Sequence, residues 1–299
     1  MLDSNLVKQL AAECGFDACG VAEAAPLALF SSQLREWVEE GNHGGMRYMA
    51  ENLEMRADPT LLVPGARSVI SLLLAYKTDR TARGIAMYAH GEDYHSRIKR
   101  MLFSLNARLK DHYPEFEAKP CVDTVPISDK LWAWKAGLGW IGKNTLLINP
   151  TYGSFCFLAE LVTPMETDRY DQPMENRCGT CEACLRACPN QAITLNAQRS
   201  TLHSPRCTSY NTIENRASEL PPTLNTRGHL FGCDLCQLAC PYNRQAPPVV
   251  ELEESQINLL ESLCEADETT FRRLTRHSAM SRVNYAQWRR NCATAQSPK

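Results

Sequence analysis

CGTCEACLRACP (178–189) and GCDLCQLACP (232–241) are two cysteine runs of the kind found in bacterial ferredoxins. The first run holds four cysteines and the second holds three, and Cys207 lies between them as an eighth. A [4Fe–4S] cluster takes four thiolates, and in two-cluster ferredoxins the cysteine before proline serves the other cluster. The spacing therefore predicts two [4Fe–4S] clusters and a protein that transfers electrons one at a time.

The two predicted ligand sets exchange the last cysteine of each run. They are Cys178, Cys181, Cys184 and Cys240 for one cluster, and Cys188, Cys207, Cys233 and Cys236 for the other. Structural zinc is an alternative, since zinc proteins also use C-x2-C pairs, but cysteines at successive three-residue intervals crowd a single tetrahedral ion. Disulfides are disfavoured because nothing in the chain indicates export.

Composition and charge restrict the class of protein. The 299 residues allow one large or two ordinary domains, and an apolar content of 44% is sufficient for a core. Asp3 and Lys8 interrupt the first fifteen residues, which predict an amphipathic helix capped by Asp3 or Ser4 and not a signal peptide. The longest apolar stretch, 68–76, falls short of the roughly 20 residues that cross a bilayer. We expect a cytoplasmic protein without membrane contact, and a net charge of −2 leaves a nucleic-acid partner open.

The predicted fold class is α+β, in three parts. Residues 1–170 form a mixed α/β domain without cluster ligands, residues 171–248 form a ferredoxin-like domain for two clusters, and residues 249–299 form a short basic helical tail. The polar run 167–176 is the expected linker between the first two parts.

Local patterns within the first part predict its main elements. SVISLLLAY (68–76) and FCFLAELVT (155–163) are typical of buried strands, and residues 93–112 show the periodicity of an amphipathic helix. Pro126 is expected to open another helix, which Gly137 ends. GLGWIG (137–142) matches the dinucleotide-binding fingerprint G-x-G-x-x-G, but a helix precedes it and no helix follows, which argues against such a site.

Several of these segments together resemble epoxyqueuosine reductase. The segments are CVDTVPISDK (121–130), AGLGWIGKNTLLINPTYGSFCFLAELVT (136–163), RADPTLLVPGARSVI (56–70), YAHGEDYH (88–95) and the basic SRVNYAQWRRN (281–291), together with both cysteine runs. The resemblance covers nearly the whole chain. Many members of that family continue into a HEAT-like helical repeat that grips tRNA, so this chain, which stops at Lys299, is expected to be a short form.

The resemblance implies a function and a set of site residues. It implies a cobalamin-binding first domain and the reduction of epoxyqueuosine, at the wobble position in the anticodon loop of tRNA, to queuosine. Asp123 is the implied acid and also a cofactor contact. The implied cobalamin pocket otherwise consists of Arg56, Lys143, Asn144, Leu147 and Ser209. An electron donor that the sequence does not identify is implied as well, and we expect a monomer.

The chemistry of that reaction suits these residues, with open alternatives. Removing an epoxide oxygen consumes two electrons and two protons, so a redox cofactor and a placed acid are both needed. We expect burial beside the cofactor to raise the pKa of Asp123. Asp123 could instead cap the following helix. His90 and His95 could bind cobalt, although histidines among aromatic and charged residues are more often structural.

The tail and the remaining cysteines have simpler interpretations. The tail arginines are candidate contacts for RNA phosphates, and a solvated helix face is the alternative. They are Arg272, Arg273, Arg276, Arg282, Arg289 and Arg290. Six cysteines match no cluster spacing and are expected to be small buried hydrophobes. They are Cys14, Cys19, Cys121, Cys156, Cys264 and Cys292.

Two other functions remain open from the sequence. A related corrinoid reductase acting on small molecules, such as a dehalogenase, would fit the cofactors, but those proteins usually carry a twin-arginine export signal. A ferredoxin-like electron carrier would fit the cysteines, but it would have no use for the first 170 residues.

Overall fold

A computed structural model of the chain describes residues 1–196 and 199–296. Over these residues the strands are β1 (Ala18–Glu23), β2 (Ser68–Ala75), β3 (Lys119–Cys121), β4 (Trp140–Ile141), β5 (Leu147–Ile148), β6 (Cys156–Thr163), β7 (Ile193–Leu195) and β8 (Ser200–Leu202). The α-helices are α1 (Ser4–Glu13), α2 (Ala28–Glu39), α3 (Arg47–Ala50), α4 (Leu53–Ala57), α5 (Tyr94–His112), α6 (Asp129–Lys135), α7 (Ala183–Ala187), α8 (Thr208–Ile213), α9 (Leu235–Leu238), α10 (Pro241–Gln245), α11 (Glu254–Glu261), α12 (Glu268–Thr275) and α13 (Tyr285–Gln296).

An antiparallel sheet with the strand order β1-β2-β6-β3 forms the centre of the first part. Its two central strands are buried on both faces. On one face, Ile70 and Leu161 pack with α1 and α5, whereas Val69 and Val162 pack on the other face with Trp132 of α6. This burial on both faces explains why β2 and β6 are continuous apolar runs in the sequence, and both predicted strands are confirmed.

The predicted helices are confirmed with one shift. Asp3 caps α1, and α5 begins directly after Asp93. The helix expected from Pro126 begins only at Asp129, because residues 123–128 form a loop that starts with a left-handed backbone at Asp123. Gly137 ends this helix with a φ of +73°, as expected.

The glycine-rich segment forms a hairpin and not a nucleotide-binding turn. Strands β4 and β5 pair with each other directly after Gly139. A Cβ at Gly139 would lie 2.2 Å from the Ile148 carbonyl oxygen, so this glycine permits the close pairing. A dinucleotide-binding fingerprint needs a strand before the glycines and a helix after them, and this hairpin has neither arrangement.

The polar run that was expected to be a linker is bound to the first part of the chain. Asp168 accepts a hydrogen bond from the Ser4 N–H at 2.8 Å. Asp171 accepts from Lys8 Nζ at 2.7 Å and from the Val21 N–H at 2.8 Å. The run is thus a strap along the sheet and helix α1, because its carboxylates satisfy backbone donors there.

The tail folds back onto the rest of the molecule. Phe271 and Trp288 stack at 5.4 Å between ring centres and pack with Ile85 and Phe231 in one apolar cluster. Within this cluster Cys264 and Cys292 are bonded to each other, so the expectation that both are free thiols is wrong. Cys14, Cys19, Cys121 and Cys156 are free, but only Cys121 is fully buried. Over the described residues, no helix is both long and apolar enough to span a membrane.

Candidate functional site

Asp123 stands in the loop before α6, and two side chains of α5 fix its carboxylate. Its Oδ2 accepts a hydrogen bond from the Tyr94 hydroxyl at 3.0 Å and lies 3.0 Å from Nε2 of His95. The second ring nitrogen of His95, Nδ1, lies 2.7 Å from Oδ1 of Asp93. The imidazole therefore bridges two carboxylates, an arrangement that favours a proton on both ring nitrogens.

The pKa shifts agree with that proton distribution. Hydrogen bonding to Asp123 raises the pKa of His95, and the bond to Asp93 adds to it, although burial opposes both. Burial raises the pKa of Asp123, but the hydrogen bonds from His95 and Tyr94 and the charge of His95 outweigh it, so the net pKa lies below the usual value. The expected increase in the pKa of Asp123 is thus wrong for this arrangement, because the sequence did not show which cation would face the carboxylate.

The Asp123 side chain faces an open cleft. It is 61% exposed, although aromatic and charged residues surround it. The alternative that it caps a helix is contradicted, since α6 begins six residues later and its N-cap position is Ser128. Asp123 also has a φ of +51°, which is uncommon for a residue with a Cβ. Backbone strain of this kind is found most often at functional sites.

Aromatic rings form one wall of this cleft. The Tyr94 ring stacks on Phe157 at 4.4 Å with an interplanar angle of 7°, and it stacks on His95 at 4.1 Å. Tyr88 packs edge-on against Tyr94 at 6.3 Å. The Tyr94 ring therefore lies between Phe157 and His95, and this stack fixes the Tyr94 hydroxyl against Asp123.

The tail contributes a charged residue close to Asp123. The Arg282 guanidinium lies 5.8 Å from the Tyr48 ring centre and makes two 2.9 Å bonds to the Glu214 carboxylate. Its charge also helps to lower the pKa of Asp123. Tyr48, Glu214 and Arg282 therefore join segments that are distant in the chain, and no sequence pattern had indicated that they would meet.

Other predicted phosphate-binding arginines serve the fold. Arg290 donates to the backbone carbonyl oxygens of Asn211, Asn215 and Ala217, so it closes the end of α8. Arg289 donates to the Cys264 carbonyl oxygen. The phosphate contacts stay a prediction for three exposed arginines of the tail, of which Arg272 pairs with Glu268 at 2.6 Å. They are Arg272, Arg273 and Arg276.

The predicted cobalamin contacts lie in several places. Arg56 lies within electrostatic range of Asp123, and its Nη2 donates to the Tyr48 carbonyl oxygen at 2.6 Å. Asn144 is buried close to the hairpin, whereas Leu147 belongs to the apolar core behind it. Lys143 and Asn144 both line the cavity at the first cysteine set, where Lys143 donates to the Gly179 carbonyl oxygen at 2.8 Å.

The first predicted cysteine set surrounds a cavity that opens to solvent. The cavity measures about 320 Å³, and Cys178, Cys181, Cys184 and Cys240 are among its lining residues. Cys181 is exposed. The last cysteine of the second run thus lies with three cysteines of the first run, as the exchanged sets require.

The second set lies deeper. Cys188, Cys207, Cys233 and Cys236 are within electrostatic range of one another. Burial raises the pKa of the Cys233 thiol to about 12 and that of Cys236 well above its usual value. Ser209, two residues after Cys207, lies in the first turn of α8 beside this set.

Tyr88 connects the surroundings of Asp123 with those of the second cysteine set. Tyr88 lies within electrostatic range of both Asp123 and Asp234, and Asp234 follows Cys233 in the chain. Among the described residues no three metal-binding side chains are grouped closely enough around one point for a single ion. Each set instead offers four soft sulfur ligands around a wider space, as a cluster requires.

Comparison with known proteins gives consistent matches over nearly the whole chain. A family model described as epoxyqueuosine reductase QueG, DUF1730, matches residues 56–124, and a model of a 4Fe-4S double cluster binding domain matches residues 177–243. The epoxyqueuosine reductase of Cyclobacterium marinum is 39% identical over 96% of this chain and 95% of its own length.

Solved structures of relatives have the same fold. A structure of epoxyqueuosine reductase with an epoxyqueuosine-modified tRNA-Tyr stem loop has a TM-score of 0.84 and 29% identity. A structure of the enzyme from Bacillus subtilis, with its catalytic aspartate loop swung out of the active site, has a TM-score of 0.82 and 28% identity. Each match covers 97% of this chain and 80% of the other.

Proposed function

The chain belongs to the epoxyqueuosine reductase family, and we propose that it reduces epoxyqueuosine in tRNA to queuosine in the cytoplasm, with cobalamin and two [4Fe–4S] clusters as cofactors. The observation that carries this function is the Asp123 carboxylate, which faces an open cleft and hydrogen-bonds to His95 and Tyr94. Asp123 is the proton donor of the reaction.

Two of the predicted contacts have the unmet hydrogen-bonding groups that cobalamin would satisfy. Two buried nitrogen atoms at its predicted contacts, Arg56 Nε and Asn144 Nδ2, have no hydrogen-bond partner among the described residues. Buried donors of this kind require acceptors, and the carbonyl groups of corrin side chains would supply them.

The residues around Asp123 account for the proton chemistry. When bound, cobalamin would supply low-valent, nucleophilic cobalt, and the two clusters would supply electrons one at a time. The substrate takes up two electrons and two protons, and the epoxide oxygen leaves as water. As negative charge develops on that oxygen, His95 passes its proton to Asp123 across the 3.0 Å contact, and Asp123 delivers a proton to the oxygen. The second proton comes from solvent, to which the Asp123 side chain is open. Asp93 then stabilises the position of the imidazole.

The depth of the two cysteine sets supports an order of electron transfer. The set with the exposed Cys181 receives electrons from the donor, and the deeper set with Cys233 and Cys236 passes them to the site of Asp123. Solvent-facing clusters accept electrons from partner proteins without the partner reaching the active site.

The substrate is proposed from a relative and from the shape of the cleft. A related reductase was solved with a modified tRNA stem loop, and a nucleotide must leave its stack to reach a recessed acid. Arg272, Arg273 and Arg276 offer charges for the RNA backbone, which predicts binding that weakens with salt.

The function is tested by anaerobic turnover on tRNA from cells that lack this gene. Protein with reconstituted clusters is assayed with and without cobalamin, and the nucleosides are identified by mass spectrometry. The expected result is cobalamin-dependent conversion of epoxyqueuosine to queuosine with the loss of one oxygen. Absence of conversion, with clusters and cobalamin both bound, would contradict the proposal.

Replacing His95 by glutamine is expected to shift the pH profile of turnover. In the native chain Asp123 and His95 together hold the proton that is transferred, and His95 keeps it up to its own raised pKa. Activity therefore falls only as the pH rises through the pKa of His95. Without His95 only the Asp123 carboxyl can hold that proton, and it loses the hydrogen bond and charge that lower its pKa in the native chain. Activity then falls as the pH rises through the pKa of the carboxyl itself, which lies below that of the imidazole. We expect turnover about tenfold lower at pH 8 and a smaller difference near pH 5.5.

Single-turnover rates between pH 5.5 and 9 measure this shift. Tyr94→Phe is the matched control, because it removes one hydrogen bond to Asp123 but leaves the ring stack and the His95 proton in place. Equal pH profiles for the native chain and His95→Gln would exclude His95 as the proton source.

A further inference from the structure

Trp140 is a buried tryptophan whose indole N–H has no acceptor among the described residues. Its side chain is fully buried at the start of β4, and its ring nitrogen Nε1 lacks a hydrogen-bond partner. By contrast, Nε1 of the equally buried Trp288 donates to the Leu263 carbonyl oxygen at 2.9 Å. A buried donor without an acceptor costs free energy, so the position of Trp140 calls for an acceptor that the described residues do not supply.

The neighbours of Trp140 belong to the first cysteine set. Its ring packs in one apolar cluster with Cys178 and Cys240, two of the four cysteines of that set. Its strand partner Ile148 lines the cavity among those cysteines, as do Cys178 and Cys240 themselves. The indole therefore lies against the wall of the cavity that a [4Fe–4S] cluster would occupy.

Two further residues that line the cavity hold the indole ring. The Arg177 guanidinium lies over the ring, with 5.6 Å between its central carbon and the ring centre. The Tyr242 ring meets the indole edge-on, with 4.7 Å between the ring centres. These contacts restrict the rotation of the indole, so the N–H of Trp140 is a fixed donor beside the cavity.

Burial alone does not distinguish Trp140 from Trp132. Trp132 is equally buried in α6, and its Nε1 also has no partner among the described residues. The residues that pack around it include Val69 and Val162 of the central sheet, and over the described part of the chain none of the eight predicted ligand cysteines is among them. The distinguishing feature of Trp140 is its contact with two predicted cluster ligands.

We propose that Trp140 donates a hydrogen bond from Nε1 to a sulfur atom of the [4Fe–4S] cluster in the first set, and that this bond raises the reduction potential of the cluster. Reduction adds negative charge to the cluster, and an N–H group that points at a sulfur stabilises that charge. The cluster beside the exposed Cys181 thereby accepts electrons more readily from the donor. The inference rests on the proposed ligands of the first cluster but not on the reaction with epoxyqueuosine.

Selective isotope labelling tests the hydrogen bond directly. The full chain with reconstituted clusters, without cobalamin or tRNA, carries nitrogen-15 only in the indole nitrogens of tryptophan. The reduced clusters are examined by pulsed electron paramagnetic resonance, because a hydrogen bond couples the electron spin of a cluster to the donor nitrogen. We expect a nitrogen-15 coupling that is lost in Trp140→Phe and kept in Trp132→Phe. The label excludes Asn144, which lines the same cavity and also has an unpartnered nitrogen.

Redox titration measures what the hydrogen bond does to the cluster. Trp140→Phe keeps an aromatic ring against Tyr242 and Arg177 but removes the N–H. We expect the equilibrium constant for reduction of one cluster to fall about tenfold, which for a one-electron couple is about 59 mV towards a more negative potential. The other cluster should keep its potential. A Cys207→Ala background, in which only the first cluster is expected to remain, should show the same shift.

Trp132→Phe is the matched control, because it removes an equally buried and unpartnered indole N–H away from both cysteine sets. Both cluster potentials should stay at their native values in this variant. An equal shift in Trp132→Phe would assign the effect to loosened packing and overturn the proposal.

Two other results would also overturn the proposal. One is the absence of a nitrogen-15 coupling in the native chain, or its persistence in Trp140→Phe. The other is a pair of unchanged potentials in Trp140→Phe with an iron content still near about eight atoms per chain. The coupling in the native chain needs no variant, so the test holds even if Trp140→Phe binds its clusters poorly. Neither measurement uses turnover, so failure of the proposed reaction would leave both results standing, and the reverse also holds.

Discussion

Replacing Asp123 by asparagine is expected to lower the turnover of epoxyqueuosine by about 10²- to 10⁴-fold, the usual range for the loss of a positioned acid. Asparagine has nearly the same shape and can still accept from Tyr94 and His95, but it has no proton to give to the leaving oxygen. The expected loss therefore lies in the chemical step and not in the assembly of the site.

Single-turnover assays with saturating protein measure this loss. Iron content, the absorption spectrum of bound cobalamin and the affinity for a tRNA stem loop should remain those of the native chain. Asp111→Asn, the same change at an exposed carboxylate near the end of α5, is the matched control. Turnover within about threefold of the native rate would remove Asp123 from the mechanism.

Cysteine double variants are expected to show that each run contributes its last cysteine to the other cluster. Cys188→Ala alone should reduce the iron content from about eight atoms per chain to about four. Adding Cys207→Ala, in the same predicted set, should leave about four, because the same cluster is already lost. Adding Cys184→Ala, in the other set, should bring the content close to zero.

The opposite pattern would follow if each run held its own cluster. Cys188 and Cys184 would then share one cluster, and their double variant would keep about four iron atoms. Iron analysis and electron paramagnetic resonance of the reduced protein distinguish the two patterns. Cys156→Ala, at a free cysteine outside both sets, should keep about eight. Loss of either cluster should also abolish turnover, since electrons would no longer reach the active site.

Two arginines of the tail have roles that its composition did not predict, one in the fold and one near the active site. A run of arginines predicted phosphate contacts, but Arg290 closes α8 and Arg282 lies close to Asp123, beside Tyr48. A guanidinium donates hydrogen bonds to backbone carbonyl oxygens as well as to phosphate oxygens. Composition alone could not distinguish these roles, because it shows the charge of a side chain but not its partner.

Local patterns predicted much of the architecture. The strands β2 and β6 and the helix α5 followed from apolar periodicity, which depends on neighbouring residues only. The start of α6 was missed by three residues, because Pro126 favours a helix start while the loop of Asp123 is held by contacts from elsewhere in the fold. Propensity gives way where tertiary contacts fix the backbone.

The sequence by itself determined the two cysteine runs, the family resemblance and the choice of Asp123 as the acid, since each depends on residue types at short spacing. Only the tertiary structure decided which groups share protons. It brought His95 to Asp123 and so reversed the expected direction of the pKa shift. The physical reason is that a pKa depends on the charges and donors within a few ångströms, and these come from segments that no local pattern connects.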